Sequence, residues 1–456
     1  MKQDLTAGSP ARIIFFYSLP VILGNVFQQI YNFVDNVIVG RAVGSEALAG
    51  VGVTTGMTFL ILGFIIGITS GLGVRTAQCF GAGDMAGVRR SIGTSIIITA
   101  AISILLTVIA VVSAEPLLRL MGADESIFRH ARDYVIIIFA GLFTQAAYNL
   151  ISSILRAIGD SKTPLYFLIF SSVLNVVLDM AFIYGAGWGV RGAAIATVLA
   201  QFVSSLLCFI YAFAHYREIR LHREDFRTDW KLIDEHISLG LPMAFQFSIT
   251  AVGTIFLNAA LAGFEAPYIA GFSAASRTTS LFAQVPVSFG VAMANYAGQN
   301  FGAAKMDRVR QGVRATCVMS MIVCIFASSV LLLFPHQLTS LLVDASTPGS
   351  VDTIFDAARR YLRVSASLYP FLFLIFIFRN ALQGIGKTFW PLMGGVGELI
   401  IRAVTSFILP QRYGYTGVIY VDCLSWVLAC IILAVAYWNI VMRKPAGRQA
   451  FFSTGI

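Results

Sequence analysis

The chain repeats itself once. Ser18-Leu19-Pro20 and, further on, Gln78-Cys79-Phe80-Gly81-Ala82-Gly83 return as Gly240-Leu241-Pro242 and Gln299-Asn300-Phe301-Gly302-Ala303-Ala304. Leu155-Arg156-Ala157-Ile158-Gly159, closing at Pro164-Leu165, returns as Leu382-Gln383-Gly384-Ile385-Gly386, closing at Pro391-Leu392. The offset of roughly 221 to 227 residues lies far beyond the ~20–50-residue period of a solenoid. It calls for two large related halves. In very apolar sequence, that is the mark of a transporter that moves its halves against each other around a central site.

The sequence is very apolar: 57% hydrophobic, only 12% charged, with mean hydropathy +0.79, outside the soluble range. Apolar stretches long enough to cross a bilayer fall at about 13–39, 49–79, 91–113, 127–155, 164–186 and 191–214, and again at about 236–263, 268–300, 311–334, 355–383, 390–409 and 415–442. No alternating ten-residue pattern supports a transmembrane barrel. The expected fold is therefore an all-α membrane protein of about twelve transmembrane helices in two six-helix lobes. Residues 1–215 read as the first lobe, 216–235 as a charged cytoplasmic linker, 236–442 as the second lobe and 443–456 as a basic cytoplasmic tail. A second charged segment, 344–363, reads as an outer loop with a short surface helix leading into the tenth span.

The net charge of +9 points to orientation and not to nucleic acid. Basic residues collect in alternate loops, among them Arg89 and Arg90, Arg217 to Lys231, Lys305 to Arg314, and Arg379 with Lys387. Roughly twenty on one side against about nine on the other make that side cytoplasmic and put both termini inside the cell membrane. The six cysteines lie in or at the ends of apolar spans, with neither paired loop spacing nor zinc spacing. No Gly-x-x-x-x-Gly-Lys-Ser/Thr phosphate loop is present, so neither an ATPase nor a cofactor is expected, and energy must come from a gradient. Nor does a metal cluster or a Ser/His pair mark an enzyme. The first apolar run carries Asn25, Gln28, Gln29, Asn32 and Asp35, and so reads as a retained helix and not a signal peptide.

An acidic side chain at membrane depth costs about 2.5–3.5 kcal/mol even on lenient insertion scales, which makes each one a functional candidate. Asp35 closes a polar stripe of Asn25, Gln28, Gln29, Asn32 and Asn36, whose three- and four-residue spacings share one helix face. Asn175 and Asp179 are four apart in the fifth span, as are Thr197 and Gln201 in the sixth. If these helices meet, two carboxylates share a site. Burial and like charge would then favour a proton on one of them, and the same oxygens suit Na⁺; a purely structural polar network is the third reading.

The second half differs: Asn258 stands opposite Asp35, and Arg402 opposite Asn175. Glu398 and Arg402, four apart, read as a self-neutralising structural or gating pair, and Asp422 as interfacial. Gln28, Asn32, Asn36, Gln246, Asn258 and Gln284 are the candidates for a substrate cavity. Pro20 and Pro242, at matching places in the first helix of each lobe, are hinge candidates.

With Val34-Asp35-Asn36 and Gly40, the mirrored Gln78–Gly83 and Gln299–Ala304 segments, Leu155 to Asp160, and Asn175-Val176-Val177-Leu178-Asp179, the chain resembles the multidrug and toxic compound extrusion (MATE) family over nearly its full length. The resemblance implies a bacterial inner-membrane antiporter that exports amphipathic cations against H⁺ or Na⁺. Its coupling site would be Asp35, Asn175, Asp179 and Thr197. Some members of that family place carboxylates in the seventh and tenth spans. The seventh span here offers Gln246 and Ser248 instead, and the tenth none. A monomer suffices for such a mechanism. The alternative is a flippase for a lipid-linked saccharide, which needs in-membrane bases; Arg402 and Arg277 are the ones available.

Overall fold

A computed structural model describes residues 3–120, 124–343 and 351–443. Among these the chain is helical, with no strand. The first half runs α1 (Pro10–Ala42), α2 (Ser45–Gly81), α3 (Met85–Leu120), α4 (Glu125–Ala140), α5 (Leu142–Ala157), α6 (Lys162–Asp179, extended by a π-helical turn Met180–Gly185) and α7 (Gly189–His215). The second runs α8 (Trp230–Leu261), α9 (Ala266–Gly302), α10 (Met306–Leu333), the short α11 (Pro335–Ser340), α12 (Val351–Gly384), α13 (Phe389–Tyr413) and α14 (Tyr415–Tyr437, with a π-helical end Trp438–Met442).

Ten of these helices are long and apolar enough to cross a bilayer, and α4 with α5 forms an eleventh span bent by 48°. α9, though 37 residues long, is rich in Ser, Thr, Asn and Gln and is not apolar enough to count as a span by composition. That composition fits its interior place against α12, α2, α1 and α10. Ten or eleven of the twelve expected spans are found this way among the described residues. The fourth span is thus two helices, broken at Gly141. There α7 comes so close that a Cβ would stand 2.3 Å from Val198. By contrast, α1 and α8 run unbroken through Pro20 and Pro242.

The two halves meet along glycine seams. On α2, a Cβ at Gly67 or Gly71 would fall 2.5 or 2.4 Å from the backbone of Ala244 or Gly240 on α8. At the basic-loop end, a Cβ on Gly81 would meet the Gln299 carbonyl at 1.9 Å, and one on Gly302 the Gln78 carbonyl at the same distance. Backbones in contact leave no room for lipid or water at these crossings.

The linker is more ordered than its composition implies. Two short 3₁₀ turns, Arg217–Ile219 and Arg223–Phe226, pack on α3, and Asp225 is buried beside Gly93. The linker ends at Trp230, where the Asp229 side chain caps α8 by accepting from Leu232 N at 2.7 Å. The charged stretch before the tenth span forms no separate helix from residue 351 on, because α12 starts at Val351 and runs through it. Residues 344–350, and the basic tail beyond Arg443, lie outside the described residues.

The sequence repeats correspond to four equivalent helix stops, all at the basic-loop end. α2, α5, α9 and α12 each close with paired backbone bonds: Asp84 N to Cys79 O, Asp160 N to Leu155 O, Lys305 N to Asn300 O and Lys387 N to Leu382 O. Each turns on a residue with positive φ: Gly83 (75°), Gly159 (93°), Ala304 (56°) and Gly386 (81°). Ala304 alone carries a Cβ there, at a cost of about 1–2 kcal/mol. Ala304→Gly is therefore expected to raise the thermal midpoint in detergent, and Gly83→Ala to lower it. Equal midpoints for both variants would refute the strain.

Candidate functional site

α1 meets α6 and α7 inside the first half, and there the two acidic residues come together. The Asp35 and Asp179 carboxyl groups lie within hydrogen-bond reach of each other. Such a bond exists only if one of them carries a proton, because an ionised carboxylate donates nothing. Asp179 is fully buried, Asn175 nearly so and Asp35 partly so. With its amide nitrogen turned to Asp179, Asn175 donates to Oδ2 at 2.9 Å and accepts from Thr197 N at 3.0 Å; the opposite orientation would set oxygen against oxygen. Asp35 Oδ1 and Asp179 Oδ1 remain buried without a donor, as does Gln201 Oε1 on α7.

Local structure fixes this arrangement. Asp179 is the last α-helical residue of α6, and the next turn widens to π geometry, with Ala186 N bonded to Ala181 O. Such a bulge re-aims a side chain without breaking its helix, and bulges of this kind recur at functional sites. Two tyrosines complete the shell. Tyr31 lies beside Thr197 and the carboxyl pair, and Tyr134 on α4 lies beside both carboxyl groups. Tyr31 was legible in the sequence, one turn before Asp35. Tyr134 was not, since nothing along the fourth span links it to α1.

The four predicted coupling residues therefore form one site. The cavity candidates divide. Gln28, Asn32 and Asn36 are exposed along α1, and Asn258 is exposed on α8. Gln284 is half-buried and turned onto its own helix at Ser280 O. Gln246 is buried, and its Oε1 takes Gln383 Nε2 at 2.8 Å; it ties α8 to α12 and does not line an opening.

The second half keeps the expected Glu398–Arg402 pair and extends it. Glu398 and Arg402 stand 3.9 Å apart, and each has a nearer partner: Arg379 for Glu398 at 2.5 Å, Asp422 for Arg402 at 2.6 Å. Arg379 belongs to no loop; it is buried in α12, more than a turn before the stop at Gly384. Asp422 is likewise the partner that neutralises Arg402 and not a free interfacial acid. Two arginines and two carboxylates thus tie α12, α13 and α14 together with no net charge. Removing one member of such a network strands a charge at a cost of about 3–5 kcal/mol. Arg402→Met is expected to lower unfolding stability on that scale, and adding Asp422→Leu should recover at least half. Additive losses in this double-variant cycle, followed by thermal unfolding, would show the two side chains to be uncoupled.

Comparison with known proteins agrees with the fold. The chain is 28% identical over 414 residues, 91% of its length and 89% of the relative's, to "Probable multidrug resistance protein YpnP" of Bacillus subtilis. It is 23% identical over 407 residues, 88% of each chain, to a Shewanella oneidensis protein named "FAD transporter". Its fold matches a solved structure described as the outward-facing conformation of a multidrug resistance MATE family transporter, with TM-score 0.88, 24% identity and coverage of 97% and 98% of the two chains. The MatE family model matches twice, at residues 20–181 and 242–408, once for each half of the repeat, and the chain belongs to the MatE family.

Proposed function

We propose that this membrane transporter is a secondary exporter of amphipathic cations, driven by protons that bind between Asp35 and Asp179. The observation that carries this reading is the unequal treatment of charge in the two halves. Every carboxylate of the α12–α14 network has an arginine, whereas Asp35 and Asp179 have only each other, Asn175 and neutral hydroxyl neighbours. Buried carboxyl oxygens without donors are a place for a small cation to come and go. A proton shared by the pair lets one carboxyl group donate to the other, which is why we choose it over Na⁺ as the coupling ion.

The two lobes would take turns opening the central space, with the basic-loop end and both termini in the cytoplasm. Binding of a proton at the pair would shift α1 and discharge the compound held beside Gln28, Asn32 and Asn36. A cation is the preferred cargo because the acidic pair beside the polar residues of α1 has no basic partner among the described residues. A lipid-linked saccharide flippase would need bases for a pyrophosphate; Arg379 and Arg402 are already neutralised, and Arg277 on α9 alone is too few to cradle one.

The test is reconstitution in liposomes with a fluorescent lipophilic cation, under a pH gradient or a Na⁺ gradient imposed separately. Transport is expected under the pH gradient and is expected to fall at least tenfold in Asp35→Asn and Asp179→Asn, with substrate binding retained. Transport under the Na⁺ gradient alone would replace the coupling ion. Uptake of FAD or flipping of a labelled polyprenyl-linked sugar, without cation export, would replace the cargo.

A further inference from the structure

The basic-loop end is closed by a pair of amides related by the internal repeat. Gln78, ending α2, donates to Gly384 O at 3.0 Å; Gln299, ending α9, donates to Ala157 O at 2.8 Å. Each glutamine thus reaches from its own half to the equivalent carbonyl of the other. One feature breaks the symmetry. Residues 3–8, ahead of α1, lie across both halves. Gln3 N bonds Gly159 O at 3.1 Å in the first half. On the second half, Leu5 N bonds Gln299 Oε1 at 3.2 Å, Leu5 O accepts from Asn300 Nδ2 at 3.0 Å, Thr6 O from Lys305 Nζ at 3.1 Å and Gly8 O from Arg308 Nη2 at 3.0 Å. The Leu5 side chain is buried with Ile13, Ile14 and Tyr17 in the same apolar cluster as Met293, Tyr296 and Ala297. Gly159 lacks the Cβ that would meet Gln3 O at 2.1 Å.

We propose that Gln3–Gly8 is a strap that positions the cytoplasmic gate, with Gln299 as its anchor, so that opening toward the cytoplasm requires the strap to be peeled from one half. The proposal rests on the transporter reading given above. The physical ground is that these bonds bridge the two halves and exist only while their ends meet. Each is worth little in water, but they act together around one buried leucine. The strap runs directly into α1, which from Pro10 to Asp35 extends roughly 38 Å as one helix. A shift of α1 at the acidic pair is therefore delivered to the strap.

The experiment uses the full chain in lipid nanodiscs, with its native cysteines replaced and spin labels at Lys162→Cys and Gln311→Cys, two exposed sites on opposite halves. Distances across the cytoplasmic end are read by pulsed electron resonance. The parent protein should show mainly the short distance. Leu5→Asp, Gln299→Ala and deletion of residues 3–8 should each raise the long-distance population about tenfold, while Leu5→Met should behave as the parent. An unchanged distribution in the deletion and in Gln299→Ala overturns the strap; if Leu5→Asp fails to fold, these two variants decide. Cation export by the parent in liposomes is measured in parallel. Its absence would sink the transporter reading, whereas the distances report on the strap in either case.

Discussion

The cost of an unpaired charge at membrane depth governs this structure, and the two halves meet it in opposite ways. In the second half, Arg379, Glu398, Arg402 and Asp422 bring the net charge to zero and hold three helices together. Such a network is rigid by necessity, because movement of any member would strand its partner. In the first half, Asp35 and Asp179 face each other among an amide and hydroxyls. A site of that kind is satisfied by something that arrives and leaves. The duplication thus supplied two copies of one scaffold, of which one carries a neutralised network and the other, on the proposed reading, a site that depends on an ion.

The halves are joined with little side-chain bulk between them. Gly67 and Gly71 of α2 let α8 approach to backbone contact, and Gly81 with Gly302 do the same where α2 crosses α9. Lipid tails are as apolar as leucine, so helix association in a membrane rests on close packing and hydrogen bonds and not on expulsion of water. Small residues at the crossings serve the first. The reciprocal Gln78 and Gln299 amides serve the second, and an amide pair can be undone and remade far more cheaply than a packed core.

Much of this was legible along the chain, and the reasons are physical. The repeated Gly81-Ala82-Gly83 and Gly302-Ala303-Ala304 segments register because each ends a helix in a left-handed turn, a local requirement that sequence must meet. Asp35, Asn175, Asp179 and Thr197 were legible because helical spacing places each polar residue on a known face. Contacts between helices distant in sequence were not. Arg379 looks like a loop base because the apolar run fades around it, and only the stop at Gly384 shows that it lies more than a turn inside α12. Asp422 sits only two turns into α14, so its depth depends on where Arg402 reaches. The break at Gly141 escaped because glycine in an apolar run usually signals close packing, which here, against Val198, accompanies a bend.

α1 is the element in which these strands of argument meet. Its first turns are buried with the core of the second half, through Ile13, Ile14 and Tyr17, while its far end delivers Asp35 to the first. Midway, Asn25 Nδ2 reaches Ser288 Oγ on α9 at 3.1 Å, a single bond between the halves that slides easily. Pro20 lies between the anchored start and the polar face, where the ring removes one backbone hydrogen bond and lowers the cost of flexing. A helix fixed in one half at its base and bearing its ionisable group in the other is strained whenever the halves rotate. On the proposed reading, a proton on the pair lets Asp35 and Asp179 share a hydrogen bond, and its loss sets two like charges against each other and loosens the far end of α1 from the first half. On the proposed reading, coupling needs no longer pathway than this helix. The proton alters the grip of α1 on α6 and α7, and α1 carries the change to the gate at its other end.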